Sequence, residues 1–371
     1  MKCIEVKTEP SYNVWIGPAL TSQIGKLLYP IASGHRVAMI SDMYVDPLYG
    51  GEVMNAIKDY GIDVVSIPMM VDEKTKTLST VESLLGALVQ ENISKEDILL
   101  AVGGGLVSDI AGLTAALYMH GIRIVHMPTT LLSMVDASIG GKSDVNIPQG
   151  KDLAGVYYQP EMVVSDLNVL ASLPDEEMRN AVGEIIKYAV IEDGSNLYGR
   201  LMNKIGRAKM EELEYIIGVC AQMKADIVAK DWHGEGEREL LKLGHTAGGA
   251  IEVVTDYAVS HGEAVGLGML IMAYGTGNRK TGDKIKKLLE KYNLMTSIDW
   301  PEREITAAAL VKKNAGGAYK IVVPEEIGNC VIQEVSARTL TQILRKGLNA
   351  VGSTNQNGKR LSLHPFKRSR S

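Results

Sequence analysis

Residues 97–112, DILLAVGGGLVSDIAG, decide how this chain folds. Asp97–Val102 is a short, unbroken aliphatic run, as a strand covered on both faces must be, and three glycines follow it directly. Beyond Gly103, Gly104 and Gly105 the pattern turns helical, with a helix expected to begin near Val107–Asp109. A glycine turn between a strand end and a helix start offers bare backbone N–H groups and the positive end of a helix dipole. An anion such as a pyrophosphate is favoured there. The spacing is not G-x-G-x-x-G, however, and a tight turn packing helix on sheet accounts for the glycines equally well.

Outward from this stretch the same alternation recurs, in His35–Ser41 (HRVAMIS), Gly61–Pro68 (GIDVVSIP) and Arg123–Pro128 (RIVHMP). Short β-branched runs separated by helical segments predict a parallel α/β sheet over residues 1–170. After Leu173–Pro174 the strand signals fade. Asp175, Glu176 and Glu177 place acids in a first helical turn, amphipathic stretches continue to about Leu348, and Lys320–Val323 is the one later strand-like piece. A mainly α-helical second domain is expected over 171–351. Residues 352–371 are compositionally foreign, with no acid, five cations and the chain's only phenylalanine, Phe366; they read as a disordered tail or an expression scar. Without them the formal charge moves from −5 to −10.

Length and composition narrow the function. The chain has 371 residues, 46% hydrophobic, more than one core usually serves, so two domains are expected. No cationic, apolar leader is seen in Met1–Gly17, and the longest weakly polar run, around Ala264–Gly275, is too short to span a bilayer. Cys3, Cys220 and Cys330 are scattered, which fits a reducing compartment. The expectation is a cytoplasmic enzyme with no membrane partner. An acidic body gives the basic tail no groove, so no nucleic acid is expected either.

Chemistry concentrates in Glu184, His245 and His261. One carboxylate and two imidazoles leave a coordination position open for a substrate oxygen, whereas structural zinc sites are usually closed by cysteines. Glu184 and Lys187 share a helical face, either as parts of a site or as a structural ion pair. His261 follows Ser260, which with Glu263 has the form of a capping box. Residues 135–160 form a glycine-rich polar stretch carrying Asp136, Lys142, Asn146, Lys151 and Asp152, suited to gripping an anion. Asp42, Thr129 and Thr130 follow other expected strands, where ligands collect in such sheets.

Six blocks, GGGLVSDIAG, PTTLLSMVDASIGGKSDVN, GKDLAGVYYQP, AVGEIIKYAVI, LGHTAGGAIE and HGEAVGLGM, occur in one order between about Asp42 and Gly328. Together they resemble the 3-dehydroquinate synthase family of sugar-phosphate cyclases. The resemblance implies a Rossmann-like NAD-binding domain, an α-helical domain, a zinc ion between them (cobalt can stand in) and a homodimer. It implies metal ligation by Glu184, His245 and His261, and nucleotide contacts from Asp42, Glu73, Lys76, Gly104, Gly105, Asp109, Thr129, Thr130, Lys142 and Lys151. It places substrate contacts at Asp136, Lys142, Lys187, Lys224, Arg238 and the Lys312/Lys313 pair, with Lys224 and Arg238 on a carboxylate. The activity implied is conversion of 3-deoxy-arabino-heptulosonate 7-phosphate to 3-dehydroquinate and phosphate, in the shikimate pathway. Its steps are transient NAD-dependent oxidation, phosphate elimination, re-reduction and aldol closure.

Four family positions differ. His120 stands for an arginine, Asp152 for an asparagine, Lys242 for an asparagine and Gly249 for a histidine. Those at 120, 242 and 249 belong to the phosphate region, and Lys242 is expected to compensate there. Cyclases that make valiolone or inosose rings stay open as alternatives. So do an NAD-dependent polyol dehydrogenase, which shares the metal site, and a cofactor-binding regulatory protein without activity.

Overall fold

The structure, a computed structural model, describes residues 1–192, 194–203, 210–311 and 317–352. Lys312, Lys313 and residues 353–371 lie outside the described residues. The chain opens with an antiparallel hairpin of β1 (Lys2–Val6) and β2 (Tyr12–Gly17), then alternates helices and strands. These are α1 (Ile24–Ala32), β3 (Val37–Asp42), α2 (Gly51–Lys58), β4 (Val64–Met69), α3 (Leu78–Gln90), β5 (Ile98–Gly103), α4 (Gly105–Leu117) and β6 (Arg123–Pro128). A second hairpin, β7 (Lys142–Ile147) and β8 (Gly150–Tyr157), precedes β9 (Met162–Asp166). The seven-stranded sheet runs β1-β2-β9-β6-β5-β3-β4, parallel except at β1.

Strand alternation divides the sheet residues between two cores. Ala38, Ile40, Leu99, Ala101 and Ile124 face α3 and α4, while Val37, Met39, Ile98, Leu100 and Val102 face α1 and α2. Every residue of β5 is buried, which is why this strand reads as an unbroken aliphatic run. The strand order reverses between β3 and β5, and a parallel sheet leaves a crevice outside the carboxyl ends of strands at such a switch point. Asp42 and the Gly103–Gly105 turn stand at that crevice.

From Asp175 the described chain is mainly helical: α5 (Asp175–Ile191), α6 (Leu197–Met202), α7 (Met210–Lys230), α8 (His245–Val254), α9 (His261–Thr276), α10 (Arg279–Lys291) and α11 (Glu302–Ala309). A hairpin of β10 (Tyr319–Glu326) and β11 (Asn329–Val335) and a last helix α12 (Ala337–Gly352) complete it. Helix α9 is buried on every side, so it carries aliphatic and small residues all round rather than an apolar stripe. Val14, Ile16 and Val163 of the sheet share the helical core, tying the two halves together.

Several local expectations change. The polar stretch 135–160 contains the β7–β8 hairpin, whose glycines allow close backbone contact: a Cβ on Gly155 would lie 2.4 Å from the Ser143 carbonyl oxygen. Helix α4 starts at Gly105, two residues before the expected point, because glycine in its first turn weakens the helical pattern. Lys320–Val323 is only the middle of β10, and its partner β11 is largely exposed, without the alternation that marks a half-buried strand. Ser260 does not close a capping box; its hydroxyl bonds the Glu263 carboxylate at 3.1 Å and caps no backbone N–H.

Candidate metal and nucleotide site

Helix α5 carries Glu184 in its buried middle, while His245 and His261 are the first residues of α8 and α9. The three side chains offer ligand atoms that all lie within 4.8 Å of one another. His261 Nε2 is 3.1 Å and His245 Nε2 3.5 Å from Glu184 Oε1. Each ring is oriented through its other nitrogen: His245 Nδ1 lies 3.1 Å from the Leu243 carbonyl and His261 Nδ1 3.1 Å from Glu252 Oε1. Partners of this kind fix the tautomer that turns Nε2 toward a metal.

Electrostatics favour a cation here. Burial alone would raise the Glu184 pKa, but Lys187, with help from His245 and His261, outweighs it and holds the carboxyl below its ordinary range, so it is ionised, as a metal ligand must be. Burial pushes His245 down to about 4, so its ring is neutral at pH 7. For His261 burial is outweighed by Glu252 and Glu184, which push it up to about 10. Two carboxylates calling for positive charge beside a neutral imidazole fit a divalent ion, which on binding would take the place of the proton on His261 Nε2.

Lys187 is buried (1% exposed) between Glu184 and Asp136, with its Nζ 2.8 Å from Asp136 Oδ2. Lys224 Nζ meets Asp136 twice, at the carboxylate and at the carbonyl oxygen 2.6 Å away. Burial lowers Lys224 to about 8, more than Asp136 can restore, with Arg238 adding to the drop. Arg238 donates to the carbonyls of Gly140 (2.8 Å) and Trp232 (2.7 Å), and its guanidinium lies 4.6 Å from the Tyr157 ring centre. Two of its five N–H groups are engaged this way, leaving donors for a planar anion. Gly140, with φ +92°, makes room: a Cβ there would lie 3.0 Å from Arg238 Nη2. Lys242 is exposed and pairs with the buried Glu239 at 2.5 Å.

The nucleotide-side residues gather at the crevice and along the β7–β8 hairpin. Gly104 caps α4 beneath Thr130, where an added Cβ would come 3.1 Å from the Thr130 methyl, and the Thr129 N–H bonds the Gly103 carbonyl at 2.9 Å. Asp42 Oδ1 accepts from the Tyr44 N–H at 2.9 Å. Lys76 is buried between Asp109 (2.5 Å) and Asp152 (2.8 Å). Asp109 is pushed up to about 6 by burial, against the pull of Lys76. Lys151 lies 2.7 Å from Glu252 and 3.4 Å from Glu73, whereas the exposed Lys142 pairs with Asp144. His120 is exposed in a left-handed turn (φ +64°), and a Cβ on Gly249 would meet nothing within 4 Å.

No motif in the sequence assigns a role to Glu252 or Glu239. Glu252 lies seven residues after His245, two turns along the same face of α8, and that spacing was the available signal. Glu239 had none, because its burial depends on how Gly236–Lys242 folds.

A family profile described as 3-dehydroquinate synthase N-terminal matches residues 66–180, and one described as 3-dehydroquinate synthase C-terminal matches residues 181–315. A 3-dehydroquinate synthase of Clostridium acetobutylicum is 36% identical over 355 residues, covering 93% of this chain and 99% of that protein. Among solved structures, a 2-deoxy-scyllo-inosose synthase complexed with carbaglucose-6-phosphate, NAD+ and Co2+ superposes with a TM-score of 0.84 at 23% identity, over 94% of this chain and 100% of the other. A 2-epi-5-epi-valiolone synthase from Streptomyces hygroscopicus with NAD+ and Zn2+ bound gives 0.80 at 24%, over 91% and 97%.

Proposed function

The chain belongs to the 3-dehydroquinate synthase family, and we propose that it converts 3-deoxy-arabino-heptulosonate 7-phosphate to 3-dehydroquinate and phosphate. The observation that carries this reading is that Glu184, His245 and His261, a set that could hold a metal, are linked through Lys187 and Asp136 to the buried Lys224, with Arg238 buried as a second cation for a carboxylate. The solved inosose and valiolone cyclases hold NAD+ with Co2+ or Zn2+, and the donor set here suits the same pairing. Zinc held by Glu184, His245 and His261 would supply Lewis-acid polarisation, and NAD would supply reversible hydride acceptance with no net redox change.

The chain's own residues do the rest by position and charge. Arg238, held by two backbone carbonyls and stacked over Tyr157, presents its remaining fork to the substrate carboxylate, and Lys224 adds a second cation. Asp136 orients both Lys224 and Lys187, so the ammonium groups face a fixed place. Lys187 keeps Glu184 ionised. On the other side, Gly104, Gly105, Thr129 and Thr130 line a crevice suited to a dinucleotide, with Asp42 at its edge and Lys76, Asp109 and Lys151 nearby.

A boundary near residue 170, a homodimer and a cytoplasmic setting complete the proposal. The last strand of the seven-stranded sheet ending at Asp166 and the mainly helical run that begins at Asp175 support the first, the family resemblance the second and three unpaired cysteines the third. The test is phosphate release from 3-deoxy-arabino-heptulosonate 7-phosphate with and without added NAD+ and zinc. Release that requires both, with flat NADH absorbance, is expected. Steady NADH accumulation would move the protein to the polyol dehydrogenases, and release only from a substrate lacking the carboxylate would move it to the other cyclases.

A further inference from the structure

One carboxylate oxygen serves both halves of the site. Glu252 Oε1 lies 2.7 Å from Lys151 Nζ and 3.1 Å from His261 Nδ1. Glu252 is 4% exposed, on α8; Lys151 comes from β8 and His261 begins α9. Lys151 is shared in turn, with Glu73 Oε1 3.4 Å away and the Tyr257 ring 5.5 Å away. A run of contacts therefore leads from the nucleotide side, at Glu73 and Lys151, to the metal side at His261 and Glu184.

We propose that Glu252 is a positioning residue that couples dinucleotide binding to metal binding, by dividing its charge between Lys151 and His261. This rests on the reading of the site given above. An ammonium at 2.7 Å draws the carboxylate charge away from the imidazole. A dinucleotide phosphate or hydroxyl that engages Lys151 releases that charge to His261 Nδ1. A more fully anionic partner at Nδ1 makes Nε2 a better donor and holds the ring more firmly, so the metal binds more tightly. Linkage makes the effect reciprocal: the metal must tighten the dinucleotide by the same factor. Substitutions at such outer partners typically change metal affinity by about ten- to a hundredfold, which sets the scale.

The direction of the Lys151 effect separates this from a structural role. Removing a structural lysine should loosen the site, whereas removing Lys151 here should free Glu252 and tighten the metal. The experiment measures Zn2+ affinity by chelator competition on the full chain, with and without saturating NAD+, in wild type, Glu252→Gln and Lys151→Met. Wild type should bind zinc about tenfold more tightly with NAD+. Lys151→Met without NAD+ should approach the NAD+-bound wild-type affinity, and Glu252→Gln should bind weakly with no response to NAD+. Glu252→Asp, which keeps the charge, should recover part of the response. Equal zinc affinity in wild type with and without bound NAD+, or weaker binding in Lys151→Met, would overturn the proposal. Failure of wild type to bind NAD+ at all would instead count against the functional reading, and the NAD+-free comparison of wild type with Lys151→Met would still decide the role of Glu252.

Discussion

Gly183 and Gly262 meet backbone to backbone: a Cβ on Gly183 would lie 2.1 Å from the Gly262 carbonyl oxygen, and one on Gly262 would lie 1.7 Å from the Asn180 carbonyl oxygen. Each glycine adjoins a proposed metal ligand, Glu184 or His261. The close crossing of α5 and α9 that they permit is what sets Glu184 Oε1 3.1 Å from His261 Nε2. A hydrogen bond of 2.6 Å from the Gly262 N–H to Asn180 Oδ1 pins the crossing.

Gly262→Ala should therefore cost stability and metal together. Forcing a methyl into such a contact typically costs about 1–3 kcal/mol, and the helices can yield only by moving the ligands apart. Thermal unfolding and zinc content per chain measure the two effects. Gly249→Ala is the contrast, since that helical position is open, and it should be neutral or gain about 0.5–1 kcal/mol. Full zinc content in Gly262→Ala would show that the crossing does not set the ligand geometry.

His245→Ala should abolish metal retention and turnover, because two remaining ligands leave the ion half-coordinated. The buried Glu184 and Lys187 still pair in that variant, so the fold should survive and the loss should be confined to the metal. Stoichiometric zinc after dialysis would mean that the ion is held elsewhere.

What could be read from the sequence follows from which interactions are local. The β5–α4 turn was legible because a fully buried strand and three glycines mark it within ten residues. The convergence of Glu184, His245 and His261 was legible because they stand in blocks of a recognisable pattern. The β7–β8 hairpin was hidden, since Lys142–Tyr157 mixes charge and glycine without alternation and its pairing relies on contacts such as Gly155 against Ser143. The link from Lys151 to Glu252 spans 101 positions between a strand and a helix, and no local pattern encodes it. Glu184 and Lys187 were expected on one helical face; their nearly complete burial comes from α9 and from residues 133–137, which carry Asp136, packing against α5.

The pH dependence should report Lys224. Its ordinary value is 10.5 and burial brings it to about 8 in the fold. The unfolded chain then binds the extra proton between about pH 8 and 10.5, so this group's contribution to stability rises with pH through that window. Activity moves the other way. A carboxylate anchor needs the charged form, so kcat/KM for the free enzyme should fall above about pH 8. Lys224→Arg should keep the charge and shift this limb upward, whatever it does to the plateau. An unchanged limb near pH 8 in that variant would assign the ionisation to another group.

The region where the resemblance implies phosphate binding gives the last prediction, because three of the four departures from the family pattern, His120, Lys242 and Gly249, fall there. Gly249 lies one helical turn after His245 on the same face of α8, and the space beside it is open. Lys242 precedes that helix with its ammonium on Glu239 at 2.5 Å, more than half exposed, so it can reach a neighbouring anion while Glu239 steers it. A lysine supplies one full charge and three donors on a long stem, where an asparagine and a histidine supply neutral donors. Losing a charged contact costs about 1.5–3 kcal/mol, so Lys242→Asn should lower kcat/KM by roughly ten- to a hundredfold. Adding Gly249→His to Lys242→Asn should restore much of that loss, since the imidazole has room to enter. Wild-type kinetics in Lys242→Asn would place the phosphate on other groups. A double variant no better than the single would show that position 249 does not face it.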